Sequence, residues 1–187
     1  RLREILEVLR ESYCRRWTVE YMHIVDRQRK HWVREAVEQH RHDDVFDLDH
    51  RKRILRRLIR AENFERFLQT RYPGNKRFSL EGGDMLVPAL AEILDRAAAN
   101  GVKRAVIGMA HRGRLNVLAH ILGKSHEQLF REFEGVLLPL KNEGSGDVKY
   151  HQGQRGVFRT NKGEEVEVIL CANPSHLEAV NPVVCGA

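Results

Sequence analysis

Two short polar runs combine residue types that bind anions and move protons: His111-Arg112-Gly113-Arg114 and Asn173-Pro174-Ser175-His176. In the first, a guanidinium offers a fork of donors matched to phosphate oxygens, and Gly113 permits close backbone approach. A helix starting after it would present free N–H groups at the positive end of its dipole. The same residues also fit a plainer arrangement, with Arg112 and Arg114 in surface ion pairs and His111 filling a turn. A third element is His151, at the end of Gly146-Asp147-Val148-Lys149-Tyr150-His151, where an imidazole could hold a carboxylate or move a proton near neutral pH, or simply occupy a loop.

Each of the two runs follows an apolar stretch of strand length, Arg104 to Met109 and Val166 to Cys171. The first predicts strand, tight loop and helix, the helix carrying Leu115, Leu118, Ala119 and Leu122. The second predicts a helix capped by Asn173 with Pro174 at its first position. Parallel neighbours would bring both polar runs to the carboxyl ends of the strands, where open α/β sheets bind ligands.

Around this centre, Met85, Leu86, Leu90, Ile93, Leu94 and Ala97 share a stripe that predicts a helix over 84–100, stopped by Asn100-Gly101. Ser125-His126-Glu127-Gln128 fits a capping box. From Gly135 to Glu165 no period is evident, and a long loop is expected, a feature often functional in compact domains. Residues 1 to about 72 read as helices packed by one face: Leu2, Ile5 and Leu9, then Ile54, Leu55, Leu58 and Ile59, then Phe64, Phe67 and Leu68. Tyr72-Pro73-Gly74-Asn75 ends that texture. The expected organisation is a helical segment over 1–75 and an α/β region with a parallel sheet over 76–187.

Composition narrows the function classes. The 187 residues are 42% hydrophobic and 31% charged, as in a soluble globular domain, and no apolar run reaches the roughly 18–20 residues a membrane span needs. Cys14, Cys171 and Cys185 form no C-x-x-C pair, so neither a disulfide framework nor a zinc knuckle is expected, and a reducing intracellular compartment is.

The net charge of +6 points to anionic partners, and most of the excess lies in the first 75 residues, 18 Lys and Arg against 13 Asp and Glu. Arg51-Lys52-Arg53 with Arg56, Arg57 and Arg60 lacks the aromatic or glycine interleaving of a nucleic-acid patch and reads as a solvated helix face. Fingerprints for nucleoside triphosphates, dinucleotides, serine hydrolases and zincins are absent from the sequence. His40, His42, Asp43, Asp44 and His50 match no established metal-ligand spacing and read as a polar loop.

Five segments in order carry a resemblance. They are Glu20-Tyr21-Met22-His23-Ile24, Lys76-Arg77-Phe78-Ser79-Leu80-Glu81-Gly82-Gly83-Asp84, Gly108 through Leu118, Gly144 through His151, and Asn173 through Glu178. Together they resemble the decarboxylating, thiamine-diphosphate-dependent first component of the 2-oxoglutarate dehydrogenase complex, from about residue 13 to the end.

The resemblance implies a piece of a chain several times longer: a connecting helical segment and the first part of the α/β thiamine-diphosphate-binding domain. It implies thiamine diphosphate and Mg2+ as cofactors, with the metal ligands and the cofactor-activating glutamate downstream of Ala187, the glutamate acting across a homodimer interface. The piece alone would then be inactive. It further implies His111 and His151 as catalytic, Phe78, His111, His151 and Ser175 as substrate contacts, Arg112 and Leu177 as cofactor contacts, and His176 standing behind them.

The implied reaction is oxidative decarboxylation of 2-oxoglutarate in the tricarboxylic acid cycle, with the succinyl group passed to the lipoyl group of a partner acyltransferase. A bacterial cytoplasm is the expected location, or the mitochondrial matrix in a eukaryote, with no membrane partner. Arg15-Arg16-Trp17 and Arg155 depart from the family pattern, and Arg155 bears on the far side of the substrate pocket. A 2-oxoadipate dehydrogenase component is the alternative within the class, and a basic nucleic-acid-binding module the alternative outside it.

Overall fold

The computed structural model describes residues 2–14, 18–39, 46–134 and 151–187. The chain divides between His50 and Arg51 into two compact units. Arg15, Arg16 and Trp17, the His40 to Asp44 cluster, and the part of the His151 motif before that residue lie outside the described residues.

The first unit contains helices α1 (Leu2–Tyr13) and α2 (Arg27–Gln39). The Tyr13 hydroxyl donates to Glu38 Oε1 at 2.9 Å and lies 3.2 Å from the Tyr21 hydroxyl. The expectation that α1 packs by its apolar stripe is corrected, because Leu2, Ile5 and Leu9 are exposed. The polar end of the helix at Tyr13, rather than that stripe, ties α1 to α2.

Helix α3 (Leu48–Arg71) begins at the division, and the second unit continues with α4 (Leu86–Ala99), β1 (Arg104–Ile107), α5 (Arg114–His120), α6 (His126–Phe133), β2 (Gln154–Arg159), β3 (Glu165–Leu170) and α7 (Asn181–Gly186). The helix expected over 84–100 is α4, with Asn100 at its C-cap and Gly101 in the left-handed region. The capping box at the start of α6 is present in both directions between Ser125 and Gln128.

Among the described residues the sheet has three strands in the order β1-β3-β2. Strands β1 and β3 run parallel, Arg104 opposite Glu167 and Ile107 opposite Leu170, as the two apolar runs predict. The parallel-only expectation is nevertheless corrected to a mixed sheet, because β2 pairs antiparallel with β3, Gln154 opposite Leu170 and Arg159 opposite Glu165. Strand β2 lies inside the stretch expected to be loop. Its inward positions are Gly156, which has no side chain, and Phe158, while Val157 points outward at 51% exposure, so no apolar alternation marks it.

Val166, Val168 and Leu170 of β3 alternate into the core, where they join Phe158, Val87, Ala91 and Leu94 of α4, Leu115 and Leu118 of α5, and Phe64 and Leu68 of α3 in one cluster. Burying each large side chain contributes about 1.5–3 kcal/mol, which holds β3 in place and thereby fixes the start of the polar run at its carboxyl end. The basic face of α3 is not wholly solvated: Arg57 turns in over the Phe158 ring, 5.8 Å from its centroid, with Asp95 at 3.9 Å. Among the described residues no helix is long and apolar enough to cross a membrane.

His120, the last residue of α5, packs edge-on against Phe64 at 5.8 Å. Burial, with smaller contributions from His126, Arg60 and Arg57, pushes its pKa down to about 4. The unfolded chain, with an ordinary histidine near 6.5, therefore takes up this proton before the folded chain does. Stability should fall as pH drops from about 6.5 towards about 4 and level off below. Thermal midpoints of the full-length protein across that range, for wild type and His120→Gln, check this; an unchanged slope in the variant would refute it.

Candidate active site

The carboxyl ends of β1 and β3 lie side by side, and Asn173, three residues beyond β3, joins the loops that leave them. Its amide Nδ2 donates to Met109 O at 2.8 Å and to Pro174 O at 2.9 Å, and its backbone N–H donates to His151 O at 3.0 Å. Its Oδ1 accepts from Arg114 Nη1 at 2.9 Å. With that oxygen engaged, Asn173 does not cap a helix. The helix expected from Pro174 is absent, residues 175–180 form bends and turns with Glu178 at a φ of 64°, and α7 starts only at Asn181.

Arg114 is fully buried. Besides Asn173 Oδ1, its guanidinium donates through Nη2 to Gln152 O at 2.9 Å and Cys171 O at 2.8 Å. Of the two arginines in the first run, this one is spent on the fold: it braces the exit of β3 and the segment after His151, and neither binds a phosphate nor makes a surface ion pair. Burial lowers its pKa, yet a guanidinium remains charged at any physiological pH.

His111 is buried at 2% exposure with both ring nitrogens engaged. Nε2 lies 3.1 Å from Asn173 O and Nδ1 lies 2.6 Å from Ser175 Oγ. A carbonyl oxygen can only accept, so Nε2 carries the proton; in the neutral ring Nδ1 then accepts from the Ser175 hydroxyl. The neutral ring is favoured: burial lowers the pKa most, the Arg114 charge acts in the same direction, the bond to Asn173 O opposes them, and the neighbouring His151 adds a smaller lowering. The His151 ring stands 5.1 Å away, tilted, and the Phe78 ring meets His111 edge-on at the same distance.

Phe78 is held in an unusual conformation, φ 49°, which costs a non-glycine residue about 1–2 kcal/mol. Its carbonyl accepts from Gly113 N–H at 2.6 Å, so the strained turn is locked to the loop that carries His111. Glu65 of α3 fastens the same segment by accepting from Leu80 N–H, Ser79 Oγ and, on α5, Asn116 Nδ2. Gly113 has φ 73°, and a Cβ there would stand 2.1 Å from Leu80 Cδ1. Gly113→Ala should therefore cost about 2–4 kcal/mol, left-handed strain and overpacking combined. A drop of less than about 1 kcal/mol in denaturant unfolding would contradict this reading.

The structure brings His111, His151, Ser175 and Phe78 together. Arg112 lies beside them in sequence but is exposed, its guanidinium donating to Glu81 O against Gly82. His176 and Leu177, the latter 80% exposed, stand on the turn after Ser175. Arg155 is on β2, 3.8 Å from Glu167, in an ion pair of the sheet. The residues that sequence reasoning missed are the fasteners: Asn173 as a hub, Arg114 as a brace and Glu65 as a clamp. Only the polarity of Asn173 and Arg114 beside a strand end signalled them.

No family model matches the chain. Individual relatives do. A "multifunctional 2-oxoglutarate metabolism enzyme" of Mycolicibacterium vanbaalenii is 50% identical over all of this chain and 15% of its own length. The "2-oxoglutarate dehydrogenase E1 component" of Azotobacter vinelandii is 50% identical over all of the chain and 19% of its own length, and that of Brucella anthropi 49% over 98% and 18%. The site is thus a histidine cluster at the ends of parallel strands, in a chain similar to part of each of these relatives. The chain belongs to the family of 2-oxoglutarate dehydrogenase E1 components, and it spans less than a fifth of the length of these relatives.

Proposed function

We propose that this chain is the part of a 2-oxoglutarate dehydrogenase E1 component that receives the 2-oxo acid during oxidative decarboxylation, the succinyl group then going to the lipoyl group of a partner acyltransferase. The observation that carries the reading is the meeting of His111 and Ser175, from loops after two different strands, at 2.6 Å, with the His151 and Phe78 rings against the same imidazole. The relatives' names supply the substrate.

In this reading His151 and Ser175 face the substrate's carboxylates and His111 works through Ser175. In the neutral ring the single Ser175 hydroxyl proton is directed at His111 Nδ1, 2.6 Å away; a proton taken up at Nδ1 would reverse that bond and free the hydroxyl to donate to a carboxylate, while Nε2–H stays on Asn173 O. Phe78 walls one side of His111 against water. The segment over 76–187 is read as the first part of a thiamine-diphosphate-binding domain, after a helical segment over 1–75.

The residues present fit the anionic end of such a cofactor. Arg112 is exposed and anchored by the Glu81 carbonyl, and Gly82 leaves room beside it, since a Cβ there would stand 3.1 Å from its Nη2. Leu177 offers an exposed apolar contact. Thiamine diphosphate supplies, when bound, the carbon nucleophile and the electron sink. Mg2+ enters this reading through the resemblance alone, which places its ligands downstream of Ala187.

The test is reduction of an artificial electron acceptor by the full-length parent protein with thiamine diphosphate and Mg2+. Activity on 2-oxoglutarate supports the proposal, activity on 2-oxoadipate alone moves the substrate, and silence on both refutes the reading. Arg112→Ala should raise the thiamine diphosphate concentration for half-maximal activity about tenfold, the loss of one charge-assisted contact. An unchanged requirement would remove Arg112 from the cofactor site.

A further inference from the structure

One carboxylate outside the strand-end cluster is fastened to both sides of it. Glu65, on α3, accepts through Oε1 from Leu80 N–H at 2.6 Å and from Asn116 Nδ2 at 2.8 Å, and through Oε2 from the Ser79 hydroxyl at 2.7 Å. All three donors are neutral, so the pattern is that of a clamp and not of an ion pair. Ser79 and Leu80 continue the turn that starts at Phe78, whereas Asn116 lies in the first turn of α5. The start of α5 is in turn tied to the loop of His111, since Arg114 N–H donates to His111 O at 2.9 Å.

What Glu65 holds is not a relaxed turn. Phe78 sits at φ 49°, its carbonyl accepts from Gly113 N–H at 2.6 Å, and its ring meets the His111 imidazole edge-on at 5.1 Å. A left-handed phenylalanine persists only where its surroundings over-determine it. Gly113 supplies one of those restraints, and Glu65, through the two residues that follow Phe78, supplies the other.

We propose that Glu65 is a positioning residue of the strand-end site: by fixing the Phe78 turn and α5 to one carboxylate, it keeps the Phe78 ring against His111 and the imidazole out of water. The effect on rate rests on the roles given above to His111 and Phe78; the effect on His111 itself does not. Without the clamp the turn relaxes towards an ordinary φ, the ring leaves the imidazole, and water reaches a side chain that is now 2% exposed. Burial is the largest of the influences that hold the His111 pKa down, so hydration raises it. Arg114 and His151 also act on that ring, and the change leaves both in place.

Glu65→Ala in the full-length parent protein tests this. Glu65, Ser79 and Leu80 line a cavity of about 740 Å3, from which water can meet the freed donors, and alanine suits a helix, so the variant should fold. Deuterium exchange at the imidazole C2 hydrogen, read by peptide mass spectrometry across pH, reports each histidine separately. The His111 midpoint should move up towards about 6.5 in Glu65→Ala and in Phe78→Ala, with the double variant shifted no further than Phe78→Ala alone. In the same set kcat/KM for 2-oxoglutarate should fall about tenfold. Glu65→Gln keeps an acceptor oxygen for Leu80 N–H and Asn116 and should restore both readouts. Asp95→Ala is the control, because Asp95 clamps Asn161 in a similar way at the amino end of β3; it should lower the melting temperature and leave His111 and kcat/KM unchanged. The proposal is overturned by a His111 midpoint that Glu65→Ala leaves in place, by additive effects of Glu65→Ala and Phe78→Ala, or by the same shift in Asp95→Ala. A parent protein inactive on 2-oxo acids would refute the assigned reaction, and the His111 midpoint would still decide the role of Glu65.

Discussion

Replacing Arg114 by methionine should destabilise the protein by about 3–5 kcal/mol, more than the Gly113→Ala change beside it, although methionine matches much of the volume and is apolar. The reason is the set of acceptors the guanidinium leaves behind. Gln152 O, Cys171 O and Asn173 Oδ1 would lose their donor in a site that Arg114 now fills at 0% exposure. Arg114→Lys should recover little, because one ammonium on a flexible stem cannot span acceptors that the planar fork reaches from two nitrogens. Denaturant unfolding of the full-length protein measures the effect. A loss below about 1 kcal/mol for Arg114→Met would mean that water replaces the brace. Because Asn173 also holds His111 Nε2, activity should fall with stability.

His151→Ala should do the reverse, lowering kcat about 10²–10⁴-fold while the thermal midpoint barely moves. His151 is tied to the frame through its backbone, whose carbonyl accepts from Asn173 N–H at 3.0 Å, and alanine keeps that bond. Its ring is half-buried and faces His111 at 5.1 Å. His111 is the control: it is buried and bonded through both nitrogens, so His111→Ala should lower rate and midpoint together. Steady-state kinetics and thermal unfolding on the two variants separate these cases. Parallel losses in His151→Ala would make it a structural residue and remove it from the chemistry.

The two polar runs, the strands preceding them, helix α4 and the capping box of α6 were legible because each writes a local signal: an apolar run of strand length, a helical stripe, a hydroxyl three residues before a glutamine. The parallel pairing of β1 and β3 followed from those elements, and so did the meeting of His111 and Ser175 at one sheet edge. Strand β2 stayed hidden because an inward glycine carries no hydropathy. The helix after Asn173 was expected because Asn-Pro is a good start, and it failed because a side chain can be spent only once.

The residues able to do chemistry, their order and their placement after strands were determined by the sequence, because those depend on side-chain type and short-range periodicity. Which arginine stays exposed and which is buried in the frame was decided by tertiary structure alone. Arg112 and Arg114 are two residues apart and chemically identical, yet one ends exposed against a backbone carbonyl of the 81–83 turn and the other disappears among carbonyls more than 35 residues away in sequence. Desolvation is a property of the structure that folds around a group, and so the pKa values of His111 and His120, the proton position on His111 and the brace at Arg114 could be read only once the chain had closed over them.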